Sequence, residues 1–141
     1  MTTPALVADL KRDEGFRSHA YRDTGGVWTI GYGHAGADAD WVWDEPRAAA
    51  QLAVDIDRAE SGLDRDLPWW RTLDDVRQDA LANMAFNLGA GGLLGFRRML
   101  AALEAGDWAA ASAQMLLSRW ASQVGTRAAR LAAMIRTGDP Q

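Results

Sequence analysis

Two carboxylates and one hydroxyl carry the chemistry that this sequence offers. The stretch DEGFRSHAYRDTGGVWTIGYGH, beginning at residue 13, holds Glu14, Asp23 and Thr29 with eight and then five residues between them. Glu14 falls on the apolar face of a helical segment and at its C-terminal end. Desolvation and the negative pole of the helix both disfavour its anion there. A carboxyl held protonated is a general acid, although an arginine partner would oppose that state. Asp23 lies in a polar turn with backbone N–H groups close by, where an ionised carboxylate is expected. One protonated and one ionised carboxyl suit the hydrolysis of a glycosidic bond. The first protonates the leaving oxygen, and the second stabilises positive charge or activates water. Thr29, on the returning strand, could hold a water near Asp23. An ordinary helix-end glutamate and an ordinary turn aspartate fit the same pattern, and the residue types alone leave both readings open.

The elements that must position these groups follow from local signals. Thr3 is the expected N-cap of a first helix, with Pro4 at its first position. Leu6, Leu10 and Glu14 then share one face, and Gly15 is the expected stop. Next, Asp23-Thr24-Gly25-Gly26 forms a turn between two β-prone runs. Gly31, Gly33 and Gly36 suggest tight bends or close backbone approach. Asp44-Glu45-Pro46 reads as the cap and first turn of a long helix with Leu52, Ile56, Ala59 and Leu63 as its stripe, ended before Pro68. The rest reads as helices: one from an Asp cap to Gly89, a glycine loop to Gly95, one ending at Gly106, one capped by Asp107 and running through Trp120, and one capped by Thr126 and ending at Gly138. The expected fold class is α+β, a single catalytic domain over 1–141. Its small β-hairpin lobe would cover about 15–55, and its helical lobe about 65–141 together with helix 3–14. The long helix would join the two lobes.

Bulk properties narrow the class further. The chain has 141 residues, no cysteine and 48% hydrophobic residues, so it suits one folded domain without disulfides or thiol catalysis. Residues 1–64 carry 6 Arg/Lys against 12 Asp/Glu, a balance of −6, whereas 65–141 carry 9 against 7, a balance of +2. An acidic total argues against nonspecific nucleic-acid binding. His19 and His34 lack metal-ligand spacing, and no cofactor is implied. The N-terminus has no signal-peptide pattern, and no apolar run is long enough to span a membrane. A soluble, cytoplasmic chain without membrane insertion is therefore expected.

The stretch quoted above resembles the active-site segment of the phage-type lysozymes, the endolysin muramidases of glycoside hydrolase family 24. LDDVRQDALANMAFNLGAGGLLGF and SRWASQVGTRAAR continue the resemblance across most of the chain. It implies a two-lobed lysozyme-like fold that cleaves the β-1,4 bond between N-acetylmuramic acid and N-acetylglucosamine in peptidoglycan, lysing the host. Glu14 would be the general acid, Asp23 would assist attack by water, and Thr29 would position that water. The resemblance also implies inversion at the anomeric centre, for which the carboxyls would stand ~6.5–9.5 Å apart. Arg127 would pair with Glu14, and His34 with Asp55, as structural support. Gly33, Asn87 and Gln114 would line the sugar site. The partner would be a glycan strand, with the enzyme a monomer that reaches the wall from the host cytoplasm through a separate membrane pore-former, a holin.

Two departures from larger members stand out. Only twenty residues separate His34 from Asp55, leaving ADADWVWDEP to complete the lobe. Within that segment Trp41 and Trp43 either pack the lobe or line the cleft, and their place beside a helix start favours packing. The acidic balance also contrasts with many basic relatives. The alternatives are a lytic transglycosylase, which Asp23 and Thr29 argue against, and a noncatalytic wall-binding or phage structural module. A membrane-active helix at RAARLAAMIR is a third idea, but its alanine stripe suits a core.

Overall fold

Thr3 starts the first helix as its local chemistry requires. Its Oγ1 accepts the Leu6 N–H at 3.1 Å, and Pro4 fills the first helical position. In the computed structural model, which describes residues 2–141 apart from the side chain of residue 90, this helix is α1 (Pro4–Glu14). It is followed by β1 (Arg17–Arg22), β2 (Trp28–Gly31), β3 (His34–Ala35) and α2 (Glu45–Asp66). A 3-10 turn (Pro68–Thr72) leads to α3 (Asp75–Leu94), α4 (Arg97–Glu104), α5 (Trp108–Leu116), α6 (Arg119–Val124) and α7 (Thr126–Thr137). The fold class is α+β, mostly helical with one small antiparallel sheet in the order β1-β2-β3. The chain divides into two compact units, one ending at Arg58 and the other running from Ala59 to Gln141, so the division falls inside α2.

In the first unit, β1 pairs with β2 through Arg17↔Gly31, Tyr21↔Thr29 and Arg22↔Trp28, with a register shift between Arg17 and Tyr21. The short segment expected to complete this lobe does so as an added edge. Ala20 N–H donates to the Trp41 carbonyl at 3.1 Å, and Trp43 N–H to the Ser18 carbonyl at 2.8 Å. Trp43 packs on Gly31 and stacks on His34, with ring centroids 5.7 Å apart. Trp41 stacks on Trp43 and stays partly exposed. Ile30, Ala48, Leu52 and Ile56 are buried, as the stripe of α2 requires.

An ion-pair cluster clasps this unit. The Tyr32 hydroxyl donates to Glu45 Oε2 at 2.7 Å, and Lys11 Nζ lies 3.4 Å from the same oxygen. The hydrogen bond to the Glu45 carboxylate, followed by burial, pushes the Tyr32 phenol up to about 12. The same hydrogen bond holds the Glu45 carboxyl below its ordinary range. A phenol raised on folding stabilises fully below its unfolded value near pH 10 and loses that contribution as the pH rises toward 12. Glu45 contributes in the opposite sense, and its share is lost as pH falls through the acidic range. Alkaline titration followed by tyrosinate absorbance should show one phenol ionising near pH 12, and Tyr32→Phe should remove that step. An unchanged titration would show that the bond does not persist in solution.

The second unit is built from helices with short-range caps. Asp74, Asp107 and Ser118 accept the N–H of Arg77, Ala110 and Ala121 at 3.2, 3.1 and 3.2 Å. Each such cap contributes about 1 kcal/mol. α5 packs on α4 and α7, and α3 on α7. Arg77 ties the start of α3 to the end of α7, donating from Nε to the Ile135 carbonyl at 2.7 Å. Trp70 is fully buried, and its indole N–H is satisfied by Asp64 Oδ1 at 2.7 Å.

Three expectations change here. The helix expected to end at Gly89 does break there, with φ 76°, but helical backbone resumes and runs to Leu94. The loop expected up to Gly95 is therefore mostly helical. The single helix expected from Asp107 through Trp120 is two, α5 and α6, because the Ser118 side chain caps a new start. Thr126 is the first residue of α7 rather than its cap, and Gly125, with φ 61°, takes the cap position without a side-chain bond.

Candidate active site

Asp23 is fixed by its own turn. Its Oδ1 accepts the N–H of Gly25 at 2.9 Å and of Val27 at 2.8 Å. Its N–H donates to the Val27 carbonyl at 2.9 Å. The same carbonyl accepts the Thr29 hydroxyl at 2.9 Å. One backbone oxygen thus links the carboxylate residue to the threonine. The Thr29 proton is directed to Val27, which leaves the hydroxyl oxygen as an acceptor for a water proton. Thr29 is buried at 4% exposure, while Asp23 is exposed. A solvent-facing carboxylate beside a fixed acceptor is a suitable arrangement for orienting a water.

Glu14 is the last residue of α1 and is half-buried. Leu6 and Leu10, on the same face, are buried. Gly33 lies in the turn between β2 and β3 with φ +74°, a conformation that favours glycine. A Cβ there would stand 2.9 Å from Glu14 Oε2 and 3.0 Å from its Cδ. The Gly33 backbone is therefore a wall against the Glu14 carboxyl. This close approach is the physical reason for a glycine at a position that sequence resemblance could only associate with sugar binding.

His34 Nδ1 lies 2.8 Å from Asp55 Oδ2, and Gln51 Nε2 donates to Asp55 Oδ1 at 3.0 Å. That pair joins β3 to α2, on the strand next to the Gly33 turn. Tyr21, which sequence reasoning did not single out, sits directly across from Thr29. Burial raises its phenol, the Arg17 charge opposes this, and the charges of Glu14 and Asp23 add to it. Tyr21 thus feels both carboxylates at once. Strand alternation offered a signal, since Tyr21 lies two residues before Asp23 and on a β-prone run.

In the second unit, Arg127 is buried at 9% exposure and donates from Nε and Nη2 to Asn83 Oδ1 at 3.0 and 2.9 Å. Asn87 Oδ1 accepts the Trp120 indole N–H at 2.7 Å, which leaves the Asn87 amide N–H groups available to donate. Trp120 stands edge-on to Phe96. Gln114 lines a cavity of about 670 Å³ together with Phe96, Arg119, Trp120 and Gln123. Trp120, whose role the sequence did not signal, both bonds Asn87 and lines the cavity that Gln114 shares.

The sequence pattern of the family described as phage lysozyme matches residues 11–136. The pre-baseplate central spike protein of Enterobacteria phage T4 is 33% identical over 96% of this chain. The chain spans 28% of that protein's length. Probable T4-type lysozyme 1 of Dictyostelium discoideum is 28% identical, with 92% of each chain aligned. The endolysin of Salmonella phage P22 is 31% identical over 63% of this chain and 64% of its own length.

Proposed function

We infer that this chain, which belongs to the phage lysozyme family, hydrolyses the β-1,4 bond between N-acetylmuramic acid and N-acetylglucosamine in peptidoglycan. The observation that supports this reading is the Val27 carbonyl, which accepts both the Asp23 backbone N–H and the Thr29 hydroxyl and so ties the two residues to one turn. Glu14, with its carboxyl against Gly33, is the general acid that protonates the leaving oxygen. Asp23 assists the attacking water, and Thr29 accepts one of its hydrogens. Water attack on the face opposite the leaving group inverts the anomeric centre. Gly33, Asn87 and Gln114 are assigned to the sugar, and Arg127, His34 and Asp55 to support of the site. The enzyme works as a monomer on the glycan strand, without a cofactor. Among the described residues, no helix is long and apolar enough to cross a membrane. Release from the host cytoplasm through a separate holin pore would bring the enzyme to the wall.

The test is digestion of purified peptidoglycan, with mass analysis of the new sugar ends and proton NMR of the first-formed anomer. Hydrated reducing muramic ends of inverted configuration are expected. Anhydro ends would reassign the chain to the lytic transglycosylases, and a retained anomer would remove the inverting mechanism. The likeness to a phage spike protein supports a second reading, in which the same domain serves a virion structure. Finding the chain in purified virions would favour it.

A further inference from the structure

Most tryptophans of this chain have their rings covered. An arginine guanidinium lies over Trp28, Trp43, Trp70 and Trp108, at 5.1, 4.4, 4.2 and 3.9 Å from the ring centroids. Trp120 meets Phe96, and its N–H is bonded to Asn87. Trp41 differs, at 37% exposure. One of its faces stacks on Trp43, with centroids 5.8 Å apart and planes at 22°. Among the described residues, no second ring and no cation covers it, and its indole N–H has no partner. The ring is nevertheless held. Trp43 beneath it packs on Gly31 and stacks on His34. The Trp41 N–H of the main chain donates to the Asp38 carbonyl at 3.1 Å, and the Trp41 carbonyl accepts the Ala20 N–H at 3.1 Å. A ring fixed in this way loses little freedom when a ligand settles on it. Asp38 and Asp40 flank it in the chain; both are exposed, and their carboxylates make no hydrogen bond or ion pair among the described residues. An open ring face beside an N–H donor and carboxylate acceptors matches a pyranose. The C–H groups of the sugar meet the negative π face, and its hydroxyls bond the carboxylates. The balance of −6 over residues 1–64 disfavours an anionic ligand.

We propose that the open face of Trp41, with the carboxylates of Asp38 and Asp40, is a platform that binds an uncharged N-acetylglucosamine ring of the glycan strand. This rests on the glycan substrate given above. Ala20, bonded to Trp41, lies three residues before Asp23. That is ~10 Å of extended chain, so one glycan strand is long enough to reach both. The platform touches no bond that breaks; it holds the polymer and leaves the chemical step alone.

Nitrogen–proton NMR of the indole groups, titrated with a chitin oligosaccharide, reads the contact without turnover. The Trp41 signal, assigned by its absence from Trp41→Phe, should move, and the signal of buried Trp70 should stay in place. An unmoved Trp41 signal would overturn the proposal. So would a Trp41 signal that moves with polylysine and not with the oligosaccharide, since the platform would then be a cation site. In sedimentation with insoluble peptidoglycan, Trp41→Ala should weaken binding on the order of 10-fold, the scale of one stacked ring. Trp41→Phe should keep most of the binding, and Asp38→Asn with Asp40→Asn should lose part of it. Trp41→Ala should raise KM on the polymer with kcat unchanged. Binding that survives in Trp41→Ala, or a Trp41→Phe as weak as Trp41→Ala at an unchanged melting temperature, would overturn the proposal. A wild type that hydrolyses nothing yet shows the indole shift would sink the lysozyme reading and leave the platform in place.

Discussion

Replacing Glu14 by Gln should lower kcat for peptidoglycan hydrolysis on the order of 10³-fold, within the usual span for loss of a general acid. The amide has the size of the acid and leaves the Gly33 wall undisturbed, so KM should stay close to wild type. An interaction made only in the transition state is lost with kcat and kcat/KM falling together. The amide cannot protonate a departing oxygen, which is the role proposed for Glu14. Glu14→Asp is the informative companion. It keeps the acid but shortens the side chain by one methylene, which draws the proton away from both the Gly33 wall and the leaving group. Its activity should therefore fall between wild type and Glu14→Gln. Turnover measured by release of reducing ends decides the matter, and activity in Glu14→Gln equal to wild type would remove Glu14 from the mechanism.

Gly33→Ala should be nearly as damaging, for a different reason. The new methyl would lie 2.9 Å from Glu14 Oε2, well inside contact distance. The atom it meets is the far end of a flexible side chain, so the clash is relieved by moving the carboxyl rather than the backbone. The cost therefore falls on catalysis more than on folding. A misplacement of this size can lower kcat about 10²-fold. The left-handed backbone at Gly33 adds about 1–2 kcal/mol of destabilisation for any residue with a Cβ. Paired measurement of kcat and of the urea midpoint separates the two contributions. Full activity with only a lower midpoint would mean that Gly33 serves the turn and not the acid.

What the sequence determined by itself is what depends on neighbours a few residues apart. Thr3, Asp74 and Asp107 cap helices because a side-chain oxygen reaches an N–H three residues on, whatever the rest of the chain does. The Asp23 turn is equally local, since its donors are Gly25 and Val27. The spacing of Glu14, Asp23 and Thr29 was legible for the same reason. Local rules failed where two signals competed at short range. Apolar residues run through Leu116 and Leu117 and return at Trp120, yet Ser118 starts a new helix between them. At Gly89 the glycine signal was right about the break and silent about the helical backbone that resumes beyond it.

Which distant residues meet is set by the folded chain as a whole. Gly33 and Glu14 come together because the β2–β3 turn returns the chain to the end of α1. Tyr21 and Thr29 stand opposite each other only because β1 pairs with β2. Trp41 to Trp43 form a sheet edge because β1 offers free backbone groups there, an outcome that no property of the segment alone specifies. The Asn87–Trp120 bond, which leaves the Asn87 amide free to donate, spans 33 residues. Such contacts form only when the hydrophobic core has closed the intervening chain, and so their partners cannot be read from local residue types.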